Sequence, residues 1–135
     1  MDSFGKYDLQ DQYAAAVTRT ESMKLRKQGL TADYFVSGSN AVTEDGKLVN
    51  VDGLGNRLAA FCFGPDKVII VVGVNKIVES VEEALKKIRE KTAPLNVKRH
   101  PDFDPMPPCG DTGVCSDCSS PWRICNKTVI IEREY

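Results

Sequence analysis

The chain has 135 residues, 41% of them hydrophobic and 27% charged, with a formal net charge of −1. That is enough for one globular α/β-sized domain with a modest core, and it excludes the basic footprint of nucleic-acid or anionic-membrane binding. The longest apolar run, 68–72, is far too short to span a bilayer, and the opening MDSFGKYDLQ has no apolar signal region, so a cytoplasmic protein is expected.

Residues 1–17, with Tyr7, Tyr13 and an apolar run at 14–17, read as a peripheral segment. Thr18-Arg19-Thr20-Glu21 fits a capping box and Gly29 a C-terminal cap, which predicts a short helix over about 19–28 carrying Met23, Leu25 and the basic Lys24, Arg26 and Lys27. Residues 34–36 read as a strand. From there to Gly73 the chain is dense in Gly, Asn, Asp and Ser, too polar for core and too rich in special backbone residues for an ordinary loop.

Within that stretch, Thr43-Glu44-Asp45-Gly46 carries the Asp-Gly hairpin signal. Residues 41–42 enter the turn and 47–51 leave it. Val49 and Val51 share one face of the exit strand; Leu48, Asn50 and Asp52 share the other, so that strand is expected to be at most half-buried or to line a polar cleft. Next, Asp52-Gly53-Leu54-Gly55-Asn56-Arg57 feeds a short helix over 56–63, capped by Asn56 and ended by Gly64 and Pro65. A glycine turn at a helix N-terminus suits an anionic group, although a lone G-x-G more often only makes a tight turn.

The β-branched run 67–74 predicts a strand buried on both faces of a parallel sheet. Asn75 and Lys76 follow at its C-terminal end, where open α/β sheets bind ligands; a polar turn with a solvated lysine is the plainer reading. Ser80-Val81-Glu82-Glu83 is a second capping box, and Ile77, Val81, Ala84, Leu85 and Ile88 form a helical stripe that stops before Pro94. A short strand over 95–99, a rigid extended connector through Pro101, Pro105, Pro107 and Pro108, and a final strand over 127–132 complete the chain.

Cys109, Cys115, Cys118 and Cys125 are spaced C-x5-C-x2-C-x6-C in a turn-rich segment without core periodicity, part of a Pro/Cys-rich loop over 101–126. A metal held by four thiolates would supply the folding energy this loop lacks. Zinc and an iron–sulfur cluster both fit the spacing; a redox pair at Cys115 and Cys118, or unligated thiols, are the other readings. In a cytoplasmic protein the five cysteines favour metal or redox chemistry over structural disulfides. Cys62, between Phe61 and Phe63, reads as a small buried hydrophobe. The one histidine, His100, lies outside the core elements and reads as structural or exposed. No nucleophile elbow, P-loop or zinc-protease helix is present, and no acid–base pair stands out.

Taken together, ADYFVSGSNAVTEDGKLVNVDGLGNRLAA, FGPDKVIIVVGVNKIV and PC…TGVCSDCSSPWRICN…VII resemble the LUD-domain family, the lactate utilisation proteins, over about residues 20–132. The four cysteines resemble those of a cysteine-bearing subgroup. The resemblance implies a single α/β domain over 1–135 akin to the phosphosugar isomerase and CoA-transferase group, and association with oxidation of lactate to pyruvate beside iron–sulfur partner proteins. The family's Thr-x-Asp-Gly falls on residues 43–46, its Gly-Asn-Arg on 55–57 and its Asn-Lys on 75–76. Members carry a further helix-and-strand portion ahead of the capped helix; here it is short or absent, so the chain is expected to be a truncated form or to have its sheet completed by a partner, for instance in a homo-oligomer.

The expected architecture is therefore α/β, with a mainly parallel sheet, flanking helices, an embedded hairpin and a four-cysteine loop. Two functions are expected to compete. The first is an accessory component of 2-hydroxy-acid metabolism, with a small anionic ligand at Asn40, Thr43, Asp52, Gly53, Gly55, Asn56, Arg57, Asn75 and Lys76, and iron–sulfur or zinc on the cysteines. The second is an enzyme for a phosphosugar or acyl-CoA, with Lys76, Asp52 and Arg57 about the substrate and Glu44 and Asp45 as the nearest acid–base groups. A domain whose zinc is purely structural is the third, plainer option.

Overall fold

The computed structural model describes residues 6–14 and 17–133, so residues 15 and 16 of the 14–17 run lie outside it. The first helix, α1 (Arg19–Gln28), is opened by both halves of its capping box: Thr18 Oγ1 accepts from the Glu21 amide, and the Thr18 amide donates to the Glu21 carboxylate. None of its residues is buried. Two parallel strands, β1 (Tyr34–Ser37) and β4 (Lys67–Ile70), form a sheet of their own. The others, β2 (Ala41–Thr43), β3 (Leu48–Asp52), β5 (Ile77–Val78) and β6 (Lys127–Ile131), form a four-stranded sheet in the order β5-β2-β3-β6. Among its pairings β2–β5 is parallel, while the hairpin β2–β3 and the pair β3–β6 are antiparallel. The chain is thus α/β with an embedded hairpin, but the larger sheet is mixed and not mainly parallel.

Helix α2 (Asn56–Cys62) follows the glycine turn, and α3 (Val81–Lys87) follows β5. Ser80 caps α3 through the Glu83 amide, and the Glu83 carboxylate accepts from the amide of Glu79, one residue outside the expected box. The core joins Ala41, Val49 and Val78 of the larger sheet to Ala84 and Ile88, with Val81 and Leu85 packed beside them. A second contact sets Phe61 of α2 edge-on to Phe35 of β1, with ring centroids 6.2 Å apart.

Several expectations are corrected. The helix begun at Ser80 does not stop before Pro94: it passes through a π-helical stretch, Ile88–Thr92, into α4 (Ala93–Val97), which replaces the strand expected over 95–99. Proline is tolerated in the first turn of a new helical segment because the amide it lacks has no partner there. Burial of Ala93, Pro94 and Val97 holds α4 in place. The 101–108 connector is turn-like and leads into α5 (Pro108–Thr112), so Cys109 sits on a helical turn.

The strand over 67–74 ends at Ile70 and is not buried on both faces: Ile69 and Val71 are 44% and 66% exposed. A parallel strand becomes buried only when layers cover both faces, and here a two-stranded sheet has one layer against it. Asn50 is not half-buried but fully buried. Cys62 is exposed, because the last turn of α2 buries Ala60 and Phe61 and leaves the next residue facing outward. Asn56 is the first residue of α2; the cap is Gly55, at φ +87. Among the described residues no helix is long and apolar enough to cross a membrane.

Candidate functional site

The polar residues of the central stretch converge on one guanidinium. Arg57, at the start of α2, donates from Nε and Nη2 to Asp52 Oδ1 (3.1 and 2.7 Å). Its Nη1 donates to the Gly38 carbonyl and to Asn50 Oδ1, both at 3.1 Å, and its Nη2 to Asn40 Oδ1 at 2.9 Å and the Val51 carbonyl at 3.3 Å. Around it, Asn40 Oδ1 also accepts from the Val51 amide, Asn50 Oδ1 from the Asn40 amide, and Asn50 Nδ2 donates to Ser39 Oγ. The guanidinium also lies 5.6 Å from the Phe61 ring centroid. This network ties the end of β1, the hairpin and α2 together. Among the described residues no buried side-chain polar atom is left without a partner. Its donors therefore already point at protein acceptors.

The glycine turn is likewise occupied by the chain itself. A Cβ on Gly53 would lie 3.1 Å from Ile124 Cα, and one on Gly55 2.6 Å from Lys127 Cδ. Lys127 Nζ donates to the Gly53 carbonyl at 2.9 Å, and the Asn126 amide to the Asp52 carbonyl at 3.0 Å. Asn56 Oδ1 accepts from Arg26 Nη1 of α1 at 3.4 Å. The segment that closes the cysteine loop is thus seated on the turn that opens α2.

Thr43 is buried in the hairpin: its hydroxyl accepts from the Lys47 amide and donates to Asp45. Asp45 also pairs with Lys47 at 2.8 Å, and the Lys47 and Thr43 hydrogen bonds hold its carboxyl below the usual carboxylate range. Asp45 is thus a fixed anion at neutral pH and Glu44 lies exposed in the same turn. Asn75 and Lys76 fall on a 3₁₀ turn, Val74–Lys76, before β5, where the Asn75 carbonyl accepts from Lys87 Nζ at 2.6 Å. The structure therefore gathers Asn40, Asp52 and Arg57 in one network, with Gly53 and Gly55 beside it, and sets Thr43 in the hairpin turn and Asn75 and Lys76 before β5.

Cys109, Cys115, Cys118 and Cys125 are all free and all partly buried. The Cys109 thiol is pushed up from its ordinary value, first by burial and then by the like charge of Cys118, Cys125 and Cys115. Arg123 braces the loop: Nη1 donates to the Cys118 carbonyl at 2.5 Å, Nε to the Cys125 carbonyl at 3.4 Å, and Nη2 to Asp117 Oδ1 at 2.7 Å. Asp117, between Cys115 and Cys118, takes the left-handed conformation at φ +48. Nearby, His100, Phe103 and Trp122 stack with centroids 4.9 and 5.1 Å apart, Arg19 lies over Trp122, and Trp122 Nε1 donates to the Asp104 carbonyl at 2.7 Å. This packs the loop against the connector and α1. Among the described residues no three His, Cys, Asp or Glu side chains are gathered tightly enough to hold a metal ion as the loop stands. The donor set still suits one: four uncrosslinked, half-buried thiols in one braced loop.

Sequence reasoning set Asn50 on the face of a strand that could line a polar cleft without counting it among the site residues, and it passed over Ser39 and Arg123. Asn50 gave a signal, a short amide in a strand whose neighbours Val49 and Val51 are core. Arg123 gave only its place beside Trp122 and two residues from Cys125.

A family model, described as the LUD domain, matches residues 3–134 of the chain. No curated protein and no solved structure matches it.

Proposed function

Because the chain belongs to the LUD-domain family, we propose that it is an accessory component of lactate, or more broadly 2-hydroxy-acid, utilisation, with Cys109, Cys115, Cys118 and Cys125 holding an iron–sulfur cluster or zinc. The observation that carries this reading is the braced loop: four free, partly buried thiols in one segment, with Arg123 clamped on the carbonyls of Cys118 and Cys125. A single zinc, with Zn–S of about 2.3 Å, demands sulfurs within about 4 Å of one another. A cluster carries several metal and sulfide atoms between its thiolates and so accepts more widely spaced sulfurs than a single zinc does. When bound, a cluster would supply one-electron transfer and zinc would supply stability. The chain's own residues would bind and shield it: Arg123 orients the loop, and Trp122 packs beside it.

The accessory reading is favoured over an enzyme for a phosphosugar or acyl-CoA by the state of the polar network. The guanidinium of Arg57 and the carboxylate of Asp52 are engaged with each other and with the hairpin, and Asp45 is held ionised by its neighbours. A small anionic ligand would then be met by Lys76, which follows the central stretch and is partly exposed.

The protein has a single tryptophan, Trp122, three residues from Cys125. Reconstituting metal-free, air-protected protein with iron and sulfide is expected to quench its emission and raise a visible absorption; zinc is expected to shift the emission without colour. Both changes should be lost in Cys118→Ser. Unchanged emission and absorption on either addition would refute the proposal.

A further inference from the structure

Helix α1 buries none of its residues, and its outward side carries a groove of its own. Residues four apart share a helix face, so Arg19, Met23 and Lys27 form one row with Lys24 beside it, and together they line an open groove of about 740 Å³. At 1.5 Å per residue the row from Arg19 to Lys27 is about 12 Å long. The other side of α1 meets the rest of the chain: Arg26 donates to Asn56 and lies over the Tyr13 ring, and Ser22 donates to the Gln12 carbonyl. The charge of the groove has one sign. The only carboxylate of α1, Glu21, is turned to Thr18 and accepts from its amide and its hydroxyl. The ion pairs among the described residues are Lys47–Asp45, Arg57–Asp52 and Arg123–Asp117, so Arg19, Lys24 and Lys27 have no ion-pair partner there. This cationic face stands on a chain whose net charge is −1.

We propose that this groove docks an acidic segment of a partner protein, one that carries carboxylates on either side of an apolar side chain. The row on α1 reads cation, thioether, cation at Arg19, Met23 and Lys27, so the matching row reads acid, apolar, acid over the same length. Met23 is 36% exposed, and its flexible side chain adapts to the apolar group that meets it. Three cations on one short helix are too few for a nucleic-acid backbone, which a longer basic stripe on a basic domain would hold. One apolar side chain is too little to seat α1 in a membrane surface, which takes a whole apolar helix face. Opposite charges in water contribute steering and specificity more than affinity, so the complex is expected to be weak and sensitive to salt. The proposal is independent of metal on the cysteine loop.

Arg19 also lies 5.9 Å from the centroid of the Trp122 ring, which makes the chain's single tryptophan a reporter at one end of the groove. The test titrates the full chain into a labelled peptide of glutamates around one central leucine, followed by anisotropy and by Trp122 emission. It is run beside the double variant Lys24→Gln, Lys27→Gln and the double variant Lys86→Gln, Lys91→Gln, which removes the same charge from another exposed surface. All four lysines are exposed, so each variant is expected to fold, as circular dichroism would verify. Wild type and the Lys86, Lys91 variant are expected to bind the peptide with a change in Trp122 emission. The Lys24, Lys27 variant is expected to bind at least about tenfold more weakly, as is wild type in about 0.5 M salt. No binding by wild type, binding that leaves the emission unmoved, equal binding by the Lys24, Lys27 variant, or an equal loss in the Lys86, Lys91 variant would overturn the proposal. So would tighter binding of a single-stranded oligonucleotide or of anionic phospholipid vesicles than of the peptide.

Discussion

Arg57 illustrates how a residue chosen for one role can be committed to another. Its guanidinium satisfies a carboxylate, two side-chain amides and two carbonyls in a half-buried setting. Truncating it strands those acceptors, and an uncompensated buried partner is what makes such changes costly. Arg57→Ala is therefore expected to cost about 3 kcal/mol in urea unfolding, with Arg57→Lys recovering little because an ammonium cannot reproduce the planar fork. At Arg123 the expectation concerns the loop and not the fold. If the loop holds metal as proposed, Arg123→Ala should release it to a chelator faster than wild type, with Arg123→Lys in between. Asp45 carries a pH signature. Its folded pKa is depressed, first by Lys47 and then by Thr43, so the stability it adds is present above its unfolded value of about 3.9 and is lost as pH falls through the folded one. Asp45→Asn should thus be less stable than wild type at neutral pH and converge with it as pH falls through the depressed folded value, read by thermal unfolding at each pH.

At the scale of elements, local signals were legible where they were self-contained. Thr18 with Glu21, Ser80 with Glu83 and the Asp45-Gly46 turn each identify a boundary through short-range hydrogen bonds, and each element forms there. The misses depend on distant partners. Pro94 read as a stop because proline breaks a helix interior, but the π-helical stretch before it makes it an early residue of a new segment. The run over 67–74 read as a strand buried on both faces because its composition is that of a covered strand, and composition cannot say whether a cover is there. In the site, Asn40, Asp52 and Arg57 were legible as polar residues with a shared purpose. That the purpose is mutual was not, since it depends on Asn50 and the Gly38 carbonyl meeting them in space. Gly64 gives a test at this scale. At φ +149, with a Cβ there only 2.5 Å from the Leu30 carbonyl oxygen, Gly64→Ala is expected to cost about 1–3 kcal/mol and loosen α2 from the end of α1. Matched denaturation curves would check it.

For the whole molecule, the cysteine loop ties the C-terminal strand to the turn that opens α2. Residues 123–127 lie on the glycine turn, Asn126 and Lys127 bond back to Asp52 and Gly53, and the aromatic stack fastens the loop to α1. A metal bound at one end of this chain segment would thus steady the β3–β6 edge and the α2 turn together, because binding to the folded state alone stabilises it. The most direct measurement is elemental analysis of the full chain purified without oxygen, beside a variant with Cys115 and Cys118 changed to serine. Iron with matching sulfide, or zinc, in stoichiometric amount in the wild type and absent from the variant is the expected result. Wild-type protein that contains neither iron nor zinc, or a variant that retains as much as the wild type, would contradict it.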